Sequence, residues 1–402
     1  MFELLRTHPA FRNFWLAQVA SQVGDRVHTL AVIWLVYSWT RSGTMLGVVM
    51  VASTLPAILV APWAGYVADR ANRRTIALVC DGVRAILVLS LAILAQTQQL
   101  NMPLLVGITA LLSMTAAFFN PATLAMVPQL VKGEQLTQAN ALGQLSANAS
   151  GALGFLAGSS LIALIGVPAA FLCNVVSFGL SAFFLLRMAW AHAPAAARTS
   201  VRHGLGQGWQ TMRSVPVVLY LLGPLVVINF LFSSLTVLIP VFAEGQFASG
   251  PGGIGVLMAA YTGGMLLAAL LLGQVRLRTS VATLLGGSLL LVVACFTAMG
   301  LWASLGLFLV ALLLVGLALN GVNICLITLF QRLVPAHALG QFFSLLMALA
   351  LSSQPLSFGV TGWLTDQLAP TTVLLGSAAA LLLCAVYVFS VPALRQQRVG
   401  QD

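Results

Sequence analysis

The sequence predicts an all-α membrane protein of twelve transmembrane helices, divided into two similar bundles of six. Three observations predict this fold. Of the 402 residues, 60% are hydrophobic and only 6% are charged, whereas a soluble domain is nearer a quarter charged. The apolar residues form runs that are long enough to cross a bilayer, and the two halves of the chain repeat each other. A water-facing globule is excluded, because too few polar side chains are present to cover its surface.

The apolar runs predict the individual spans, since a helix of about 20 residues crosses the hydrocarbon core of a membrane. The twelve predicted spans are 14–38, 44–67, 75–96, 103–126, 137–164, 167–189, 216–243, 251–274, 279–302, 304–328, 338–364 and 370–391. The polar segment after the sixth span is long enough to be a linker. The chain is therefore predicted to consist of an N-terminal bundle (1–190), a cytoplasmic linker (191–215) and a C-terminal bundle (216–402).

The basic residues predict the orientation of the chain in the membrane. Most of the 18 lysines and arginines lie in alternate gaps between the apolar runs, and the opposite gaps hold only Arg41. The positive-inside rule places the rich gaps in the cytoplasm. We therefore expect a multi-pass protein of the cell (inner) membrane with both termini cytoplasmic. A nucleic-acid partner is not expected, because the basic residues do not gather on one amphipathic face.

The two halves carry a matching segment at an equivalent place. The segment QLVKGEQLTQ, starting at Gln129, aligns without gaps with RLVPAHALGQ, starting at Arg332. Each of the two joins the fourth span of its half to the fifth. Repeated halves in the same orientation are an arrangement found in one large class of transporters.

The loop after the second span carries a motif. The segment GYVADRANRRT, Gly65 to Thr75, resembles G-x-x-x-D-R-x-G-R-[RK], the signature of the major facilitator superfamily. The matching residues are Gly65, Asp69, Arg70, Arg73 and Arg74. Asn72 replaces the usual glycine, and asparagine also tolerates left-handed backbone. The resemblance implies the two-bundle fold of that superfamily and transport by alternating access.

Other segments resemble the branch of bacterial exporters that includes the macrolide efflux proteins and the enterobactin exporters. They are FRNFWLAQVASQVGDRV, FFNPATLAMVPQLVKGEQLTQANAL, the DGVR of Asp81 to Arg84, and GQGWQTMRSVPVVLYLL. This resemblance implies proton-coupled export of small amphipathic or hydrophobic compounds of the drug or siderophore type. The lysophospholipid transporters share the Gly-Asp of the first span, and they remain the alternative.

The first span carries ionisable residues at the depth of the bilayer. A charge near the bilayer centre is costly unless it faces a cavity or a partner, so such residues are functional candidates. Asp25 and His28 share a helical face with Gln18 and Gln22, whereas Arg26 points about 100° away. We interpret Asp25 as the protonatable coupling residue and His28 as its neighbour. The alternative is a structural polar contact between Asp25 and Arg26.

Uncharged polar residues occur in several other spans. They are Gln144, Asn148, Asn229, Asn320, Asn323 and Gln354. Together they could line a mildly polar substrate cavity. Hydrogen bonds between packed helices are the structural alternative for each of them.

A cytoplasmic gate is predicted at the motif loop. Asp69 could lie at the positive end of a neighbouring helix, and the arginines could bind carboxylates or lipid phosphates. The predicted gate residues are Gly65, Asp69, Arg70, Arg73, Arg74, Asp81 and Arg84. The alternative for the arginines is that they only set the topology.

The fifth span contains GALGFLAGSS, Gly151 to Ser160, which resembles the exporters' antiporter motif, G-x-x-x-G-P-x-x-G-G. Gly154 and Gly158 match this motif, but Phe155 replaces its proline and Ser159 its last glycine. Small residues at this spacing also allow two helices to pack closely. That structural reason is sufficient for the glycines.

Several functions are disfavoured by missing patterns. Lys132 follows no phosphate-binding glycine loop, and the five histidines form no metal motif. No nucleophile stands with a base, so we expect neither an enzyme nor a cofactor or metal. A channel or a membrane receptor is the alternative from another class, but no filter segment or soluble domain is visible. The expected partners are a small-molecule substrate, protons and membrane lipids, and the chain is expected to be a monomer.

Overall fold

A computed structural model describes residues 3–190, 213, 216–272, 279–302, 304–334 and 339–399. The predicted linker, apart from Arg213, lies outside these residues. The loop between the eighth and ninth predicted spans lies outside them too, as do residues 335–338 of the second repeat segment.

Helices, most of them long, make up the first half of the chain. They are α1 (Glu3–Thr7), α2 (Pro9–Thr40), α3 (Gly43–Ala52), α4 (Leu55–Arg70), α5 (Arg73–Gln96), α6 (Met102–Leu130), α7 (Glu134–Leu164) and α8 (Val167–Arg187). Local sequence explains where several of them begin. The side chain of Asn101 accepts a hydrogen bond from the Leu104 amide at 3.0 Å, which satisfies an amide that the helix leaves free. Helix α2 starts at Pro9, whose fixed φ suits the first turn of a helix.

The second half is built in the same way. Its helices are α9 (Pro216–Ser233), α10 (Leu235–Gly245), α11 (Gly250–Leu272), α12 (Val281–Leu301), α13 (Leu305–Leu333), α14 (Leu339–Gln367), α15 (Pro370–Ser390) and α16 (Pro392–Gln396). Two short strands, β1 (Thr279–Ser280) and β2 (Arg398–Val399), pair antiparallel. This strand pair was not predicted, because two-residue strands have no periodicity that a sequence could reveal.

The predicted spans correspond to helices throughout the described residues. The second span is divided into α3 and α4, and the seventh into α9 and α10. Within the described part of the chain, eleven helical segments are long and apolar enough to cross a membrane. Helix α2, with 32 residues, is also long enough, but Asp25, Arg26 and His28 make it more polar than the others. The all-helical membrane fold is confirmed, while the count of twelve spans remains a prediction.

Large apolar side chains cover the outside of the helices. Trp63 is 66% exposed, Ile86 69% and Leu383 71%. Each belongs to a helix that also buries small or apolar residues on another face. Exposed apolar side chains at this density are typical of helices that lipid surrounds. The exposed surface of the helices is therefore apolar, as the composition of the chain predicts.

Contacts divide the chain into two compact units. Unit 1 contains residues Met1–Arg41, Val48–Arg198 and Ser249–Ala259, and unit 2 contains Ser42–Gly47, Thr199–Ala248 and Ala260–Asp402. The predicted bundles 1–190 and 216–402 remain a proposal, because short segments from each half group with the other unit.

In unit 1, α2 packs against α7 and α8, and α5 packs against α6 and α8. A core of buried apolar residues, among them Phe11, Phe14, Cys80, Phe119 and Met126, joins these helices. In unit 2, α12 packs against α13 and α15. The rings of Phe242 on α10 and Phe308 on α13 lie 4.8 Å apart between centroids.

Close packing of α11 on α13 in unit 2 depends on Gly264. A β-carbon at this position would collide with the carbonyl oxygen of Leu313 and lie 2.9 Å from the Leu317 amide nitrogen. Both contacts are backbone atoms, which cannot swing aside. We expect Gly264→Ala to lower the unfolding temperature in detergent, because overpacking costs about 1–3 kcal/mol.

Gly263 provides the matched control for this prediction, since a β-carbon there would meet nothing within 4 Å. Gly263→Ala should leave the unfolding temperature unchanged or raise it, because alanine favours helix by about 0.5–1 kcal/mol. Equal unfolding temperatures for the two variants would contradict the packing of α11 on α13 described here.

Candidate functional site

Asp25 lies near the middle of α2 and faces α8 and α5. The side chain of Asn174 on α8 lies near its carboxylate, and the charges of Arg84 on α5 and of Arg26 act on it. The side chain is half-buried, so open space reaches it inside the bundle. The structure thus gives Asp25 the surroundings that make a charge at bilayer depth tolerable.

The approach of α8 to Asp25 depends on Gly24. A β-carbon on Gly24 would collide with Ser177 Oγ and Asn174 Oδ1, and it would lie 2.5 Å from the β-carbon of Ser177. Ser177 in turn donates a hydrogen bond to the Asn174 side chain at 2.8 Å. The glycine therefore permits the close contact that brings Asn174 to Asp25.

Asp81 and Arg84 belong to this same cluster. They were predicted in the third span as members of the cytoplasmic gate, and that role remains a prediction. Asp81 follows Arg73 by eight residues, about 12 Å of helix. Asp81 is 1% exposed and Arg84 6%. Asp81 Oδ2 accepts a hydrogen bond from Ser181 Oγ at 2.7 Å, and Arg84 Nη1 lies 4.0 Å from Asp81 Oδ1.

Two aromatic rings enclose the guanidinium of Arg84. It lies 4.2 Å from the ring centroid of Phe119 and 5.8 Å from that of Phe178. Ring faces attract cations, and the attraction is stronger where water is excluded. The cluster of Asp25, Arg26, Asp81 and Arg84 is called the buried charge cluster below, after its buried members Asp81 and Arg84; Asp25 is half-buried and Arg26 is exposed.

Arg26 faces a different helix from Asp25. Its guanidinium lies 5.9 Å from the ring centroid of Phe155 on α7. A β-carbon on Gly154 would lie 2.6 Å from the Arg26 β-carbon, and one on Gly158 would lie 3.1 Å from the α-carbon of Val27. The two glycines therefore allow α7 to pack on α2, and Phe155, which replaces the motif's proline, supplies a ring to Arg26.

Other polar groups of α2 have no partner among the described residues. Gln18 Nε2, Gln22 Oε1 and His28 Nδ1 are buried without a hydrogen bond, as is Asn148 Nδ2 on α7. The His28 ring lies 5.3 Å from that of Phe171. Buried polar atoms are normally satisfied, so water or a ligand is the expected partner. These predicted residues fit a cavity lining, whereas Gln144 is exposed.

Two of the predicted polar residues of unit 2, Asn229 and Asn320, form hydrogen bonds with backbone carbonyls of the protein. Asn229 donates to the carbonyl of Leu225 at 2.9 Å, and Asn320 donates to that of Met265 on α11 at 2.6 Å. Asn323 is exposed and Gln354 is half-buried. For Asn320 the structural alternative, a bond between packed helices, describes the contact.

The motif loop is held within unit 1. Arg70 stacks on the ring of Tyr66 at 3.7 Å, and Arg73 donates to the carbonyl of Ala125 at 2.9 Å. Arg74 donates to the carbonyls of Leu185 and Leu186 at 2.8 and 2.5 Å, at the negative end of α8. These contacts position the loop on α6 and α8. Its function as a gate remains a prediction.

Asn72 has a different function from the one that left-handed backbone would require. Its φ is −66° and its ψ 113°, so Asn72 does not adopt the left-handed backbone conformation. The Asn72 side chain accepts hydrogen bonds from the Arg74 amide at 3.0 Å and from Trp190 Nε1 at 3.1 Å. Asn72 is the N-cap of α5. Around a β-carbon at Gly65 there is open space, and the side chain of Asp69 lies outside the described structure.

Sequence reasoning did not identify Asn174, Ser177 and Ser181 as members of the site. Their spacing of three and four residues places them on one face of α8, which is otherwise apolar. A polar stripe within an apolar span is the signal that could have found them. Trp15, which donates to Ser146 at 2.7 Å, carried no such pattern.

A groove of about 550 Å³ opens on unit 1, and Cys80, the neighbour of Asp81, forms part of its lining. Apolar side chains of α4, α5 and α6, such as Val79, Val83, Leu111 and Met114, line most of it. Several of these side chains belong to the exposed apolar surface. The groove does not include Asp25, so it is not the site described above.

Apolar helices throughout the described chain, with four clustered charges of balanced sign in one unit, are typical of a membrane transporter, and the similar proteins below give its fold as that of the major facilitator superfamily. Residues 4–400 match the family model described as transmembrane secretion effector, and the chain belongs to this family. It is therefore a transporter and not an enzyme.

Curated relatives in this family include exporters. The chain is 26% identical to the multidrug efflux pump Tap of Mycolicibacterium fortuitum over 94% of its length and 95% of Tap. It is 28% identical to the enterobactin exporter EntS of Shigella boydii over 96% and 93%, and 23% identical to macrolide efflux protein A of Streptococcus pyogenes over 94% and 94%. The predicted resemblance to this branch is confirmed.

A solved structure supports the fold. The chain is similar to a POT family transporter in complex with 5-aminolevulinic acid, with a TM-score of 0.78 and 97% of each chain covered. At 10% sequence identity, this similarity concerns the fold alone.

Proposed function

We propose that this transporter exports small amphipathic or hydrophobic compounds from the cell, and that inward movement of protons drives the export by alternating access. Efflux is supported by the family and by the relatives named above. The observation that carries proton coupling is the position of Asp25, a carboxylate at mid-membrane depth that is half-buried and placed beside two arginines.

Protonation of Asp25 acts on the protein by changing the charge balance of the buried charge cluster. With all four groups ionised, Asp25 and Asp81 balance Arg26 and Arg84. Binding one proton to a carboxylate oxygen of Asp25 adds one positive charge where the dielectric is low, so the interactions within unit 1 change by several kcal/mol. A proton from one side of the membrane then alters the relative stability of the two access states, and its release on the other side restores it.

The polar atoms along α2 suggest the substrate class. Gln18, Gln22 and His28 offer hydrogen-bonding atoms that have no partner among the described residues, within an otherwise apolar protein. A compound with a hydrophobic body and a few donors or acceptors fits such a lining. Macrolides and catecholate siderophores have this character, as the named relatives suggest. The membrane orientation that we propose has both termini in the cytoplasm, in agreement with the positive-inside rule.

The test is transport by the purified protein in sealed liposomes with an imposed pH gradient. Three compound classes should be screened, namely a macrolide, a catecholate siderophore and a lysophospholipid. We expect a drug-type or siderophore-type compound to move against its concentration gradient toward the more acidic compartment, and an ionophore that collapses the pH gradient to stop it.

The other outcomes separate the parts of this proposal. Movement of the lysophospholipid alone would replace the substrate class. Movement at the same rate with and without the pH gradient would contradict proton coupling and leave the protein a facilitator. Movement of none of the compounds, by protein that folds, would overturn the proposed substrates.

A further inference from the structure

Arg84 is in an unusual environment for a buried arginine. It is 6% exposed, yet its five N–H donors make no hydrogen bond to any described residue. Charged donors are normally hydrogen-bonded, yet none of the Arg84 nitrogens is among the fully enclosed atoms that lack a partner. The guanidinium is held by the rings of Phe119 and Phe178 instead. Ring faces attract the charge without fixing the direction of a single N–H bond.

Two carboxylates belong to the electrostatic surroundings of this guanidinium. Asp81 Oδ1 is 4.0 Å from Nη1 and is buried without a hydrogen bond, while Oδ2 of the same residue is bound by Ser181. The charge of Arg84 also acts on Asp25. Helix α8 links the two acids, because Ser177 packs against Gly24 and Ser181, one turn further on, binds Asp81. Arg84 therefore interacts with two carboxylates and is hydrogen-bonded to neither of them.

Among the described side chains, the other charged or titratable groups around the cluster come from two helices. Helix α2 contributes Arg26 and, one turn further on, His28. Helix α5 contributes Cys80, which interacts with both Asp81 and Arg84. The groups of α6 and α8 that contact the cluster are rings, hydroxyls and the Asn174 amide. Among these groups, the carboxylates that can compete for Arg84 are Asp25 and Asp81.

We propose that Arg84 is an exchangeable partner shared by Asp25 and Asp81, so that Asp81 is the second carboxylate of the coupling site. The proposal rests on the proposed function for its role in transport, but not for the sharing itself. When a proton binds a carboxylate oxygen of Asp25, the attraction between Asp25 and Arg84 is lost. The guanidinium then moves to the waiting Oδ1 of Asp81. When the proton leaves Asp25 for water, Arg84 returns toward Asp25.

No proton is transferred between Arg84 and either acid in this scheme. Arg84 remains a cation throughout, since its guanidinium does not lose a proton in proteins. The proton both enters and leaves through Asp25. Asp81 remains ionised and stabilises Arg84 while Asp25 is neutral. The exchange keeps a buried cation paired in both states, which avoids the large cost of an uncompensated buried charge.

A thermodynamic cycle on the full-length protein in detergent, without substrate, tests the sharing. The variants are Asp25→Asn, Asp81→Asn and the double variant, each in the wild-type and in the Arg84→Gln background. When Arg84 is present, either of the two carboxylates is sufficient to pair with its guanidinium. We expect the double variant to lose at least about 5 °C more in unfolding temperature than the two single losses together. With Arg84→Gln, we expect the losses to be additive.

Infrared difference spectra between neutral and acidic pH test the exchange. Asp25→Asn mimics the protonated acid, so Arg84 should pair with Asp81 in that variant and prevent a protonated-carboxyl band from Asp81. Combining Asp25→Asn with Arg84→Gln should let that band appear. Asp81→Glu should preserve the behaviour of the wild-type protein.

Each negative result has its own meaning. Additive losses in the wild-type background would overturn the sharing, and so would a carboxyl band from Asp81 in Asp25→Asn alone. These measurements need no transport. A transporter that ignores the pH gradient but shows the non-additive loss would refute the proposed coupling and retain the sharing of Arg84.

Discussion

Asp25→Asn is expected to abolish transport driven by a pH gradient while leaving the exchange of substrate between the two sides close to its wild-type rate. Asparagine has nearly the shape of aspartic acid and remains neutral at every pH. It can keep Asn174 as its polar neighbour, so the local packing should survive. Exchange needs alternating access but no net proton movement. Net transport in sealed liposomes should fall at least about tenfold, the effect of a 1.4 kcal/mol loss of driving interaction.

Asp366→Asn is the matched control for this prediction. Asp366 is an aspartate of α14 that accepts hydrogen bonds from the Gly43 amide at 2.7 Å, the Thr44 amide at 3.0 Å and Ser42 Oγ at 2.6 Å. It therefore stabilises a helix start. Its replacement should lower the unfolding temperature slightly and leave the pH dependence of transport unchanged. Proton-driven transport by Asp25→Asn at the wild-type rate would remove Asp25 from the coupling role.

The spans could be predicted from the sequence because lipid surrounds this chain. Every backbone polar group in a bilayer must be satisfied within the chain, so each apolar run of sufficient length has to be a helix. The breaks within the second and seventh spans, at Ser53 and Ser234, were not visible. They interrupt apolar runs without a polar gap, and only the tertiary packing determines where such a helix bends.

The sequence alone identified Asp25 as a member of the candidate site but did not place Asp81 and Arg84 beside it, and the reason is physical. Asp25 could be selected because a charge within an apolar span is conspicuous by its cost. Asp81 and Arg84 were also conspicuous, but their nearness in sequence to the motif loop suggested the gate. The rise of about 1.5 Å per residue carries Asp81 away from that loop and toward Asp25. Proximity to Asp25 depends on how α2, α5 and α8 pack, which no local pattern encodes.

Gly24→Ala is expected to disrupt the site through packing alone, without changing any charged residue. The β-carbon of the alanine would lie 2.5 Å from the β-carbon of Ser177, so α2 and α8 would have to separate by about 1 Å to reach ordinary carbon contact distance. The separation weakens the contact of Asn174 with Asp25. We expect a loss of about 1–3 kcal/mol in stability and a fall of at least about tenfold in proton-driven transport, since displacements near 1 Å can be that costly to a positioned group.

Two further variants show whether the collision itself is the cause. Gly179→Ala adds the same methyl group on α8 where nothing lies within 4 Å, and it should retain both stability and transport. Ser177→Gly removes the side chain that collides, so it should restore part of the transport in the Gly24→Ala protein. Wild-type transport by Gly24→Ala would show that α8 need not approach α2 so closely. Asp25 would then owe its properties to Arg84 and Arg26 more than to the amide of Asn174.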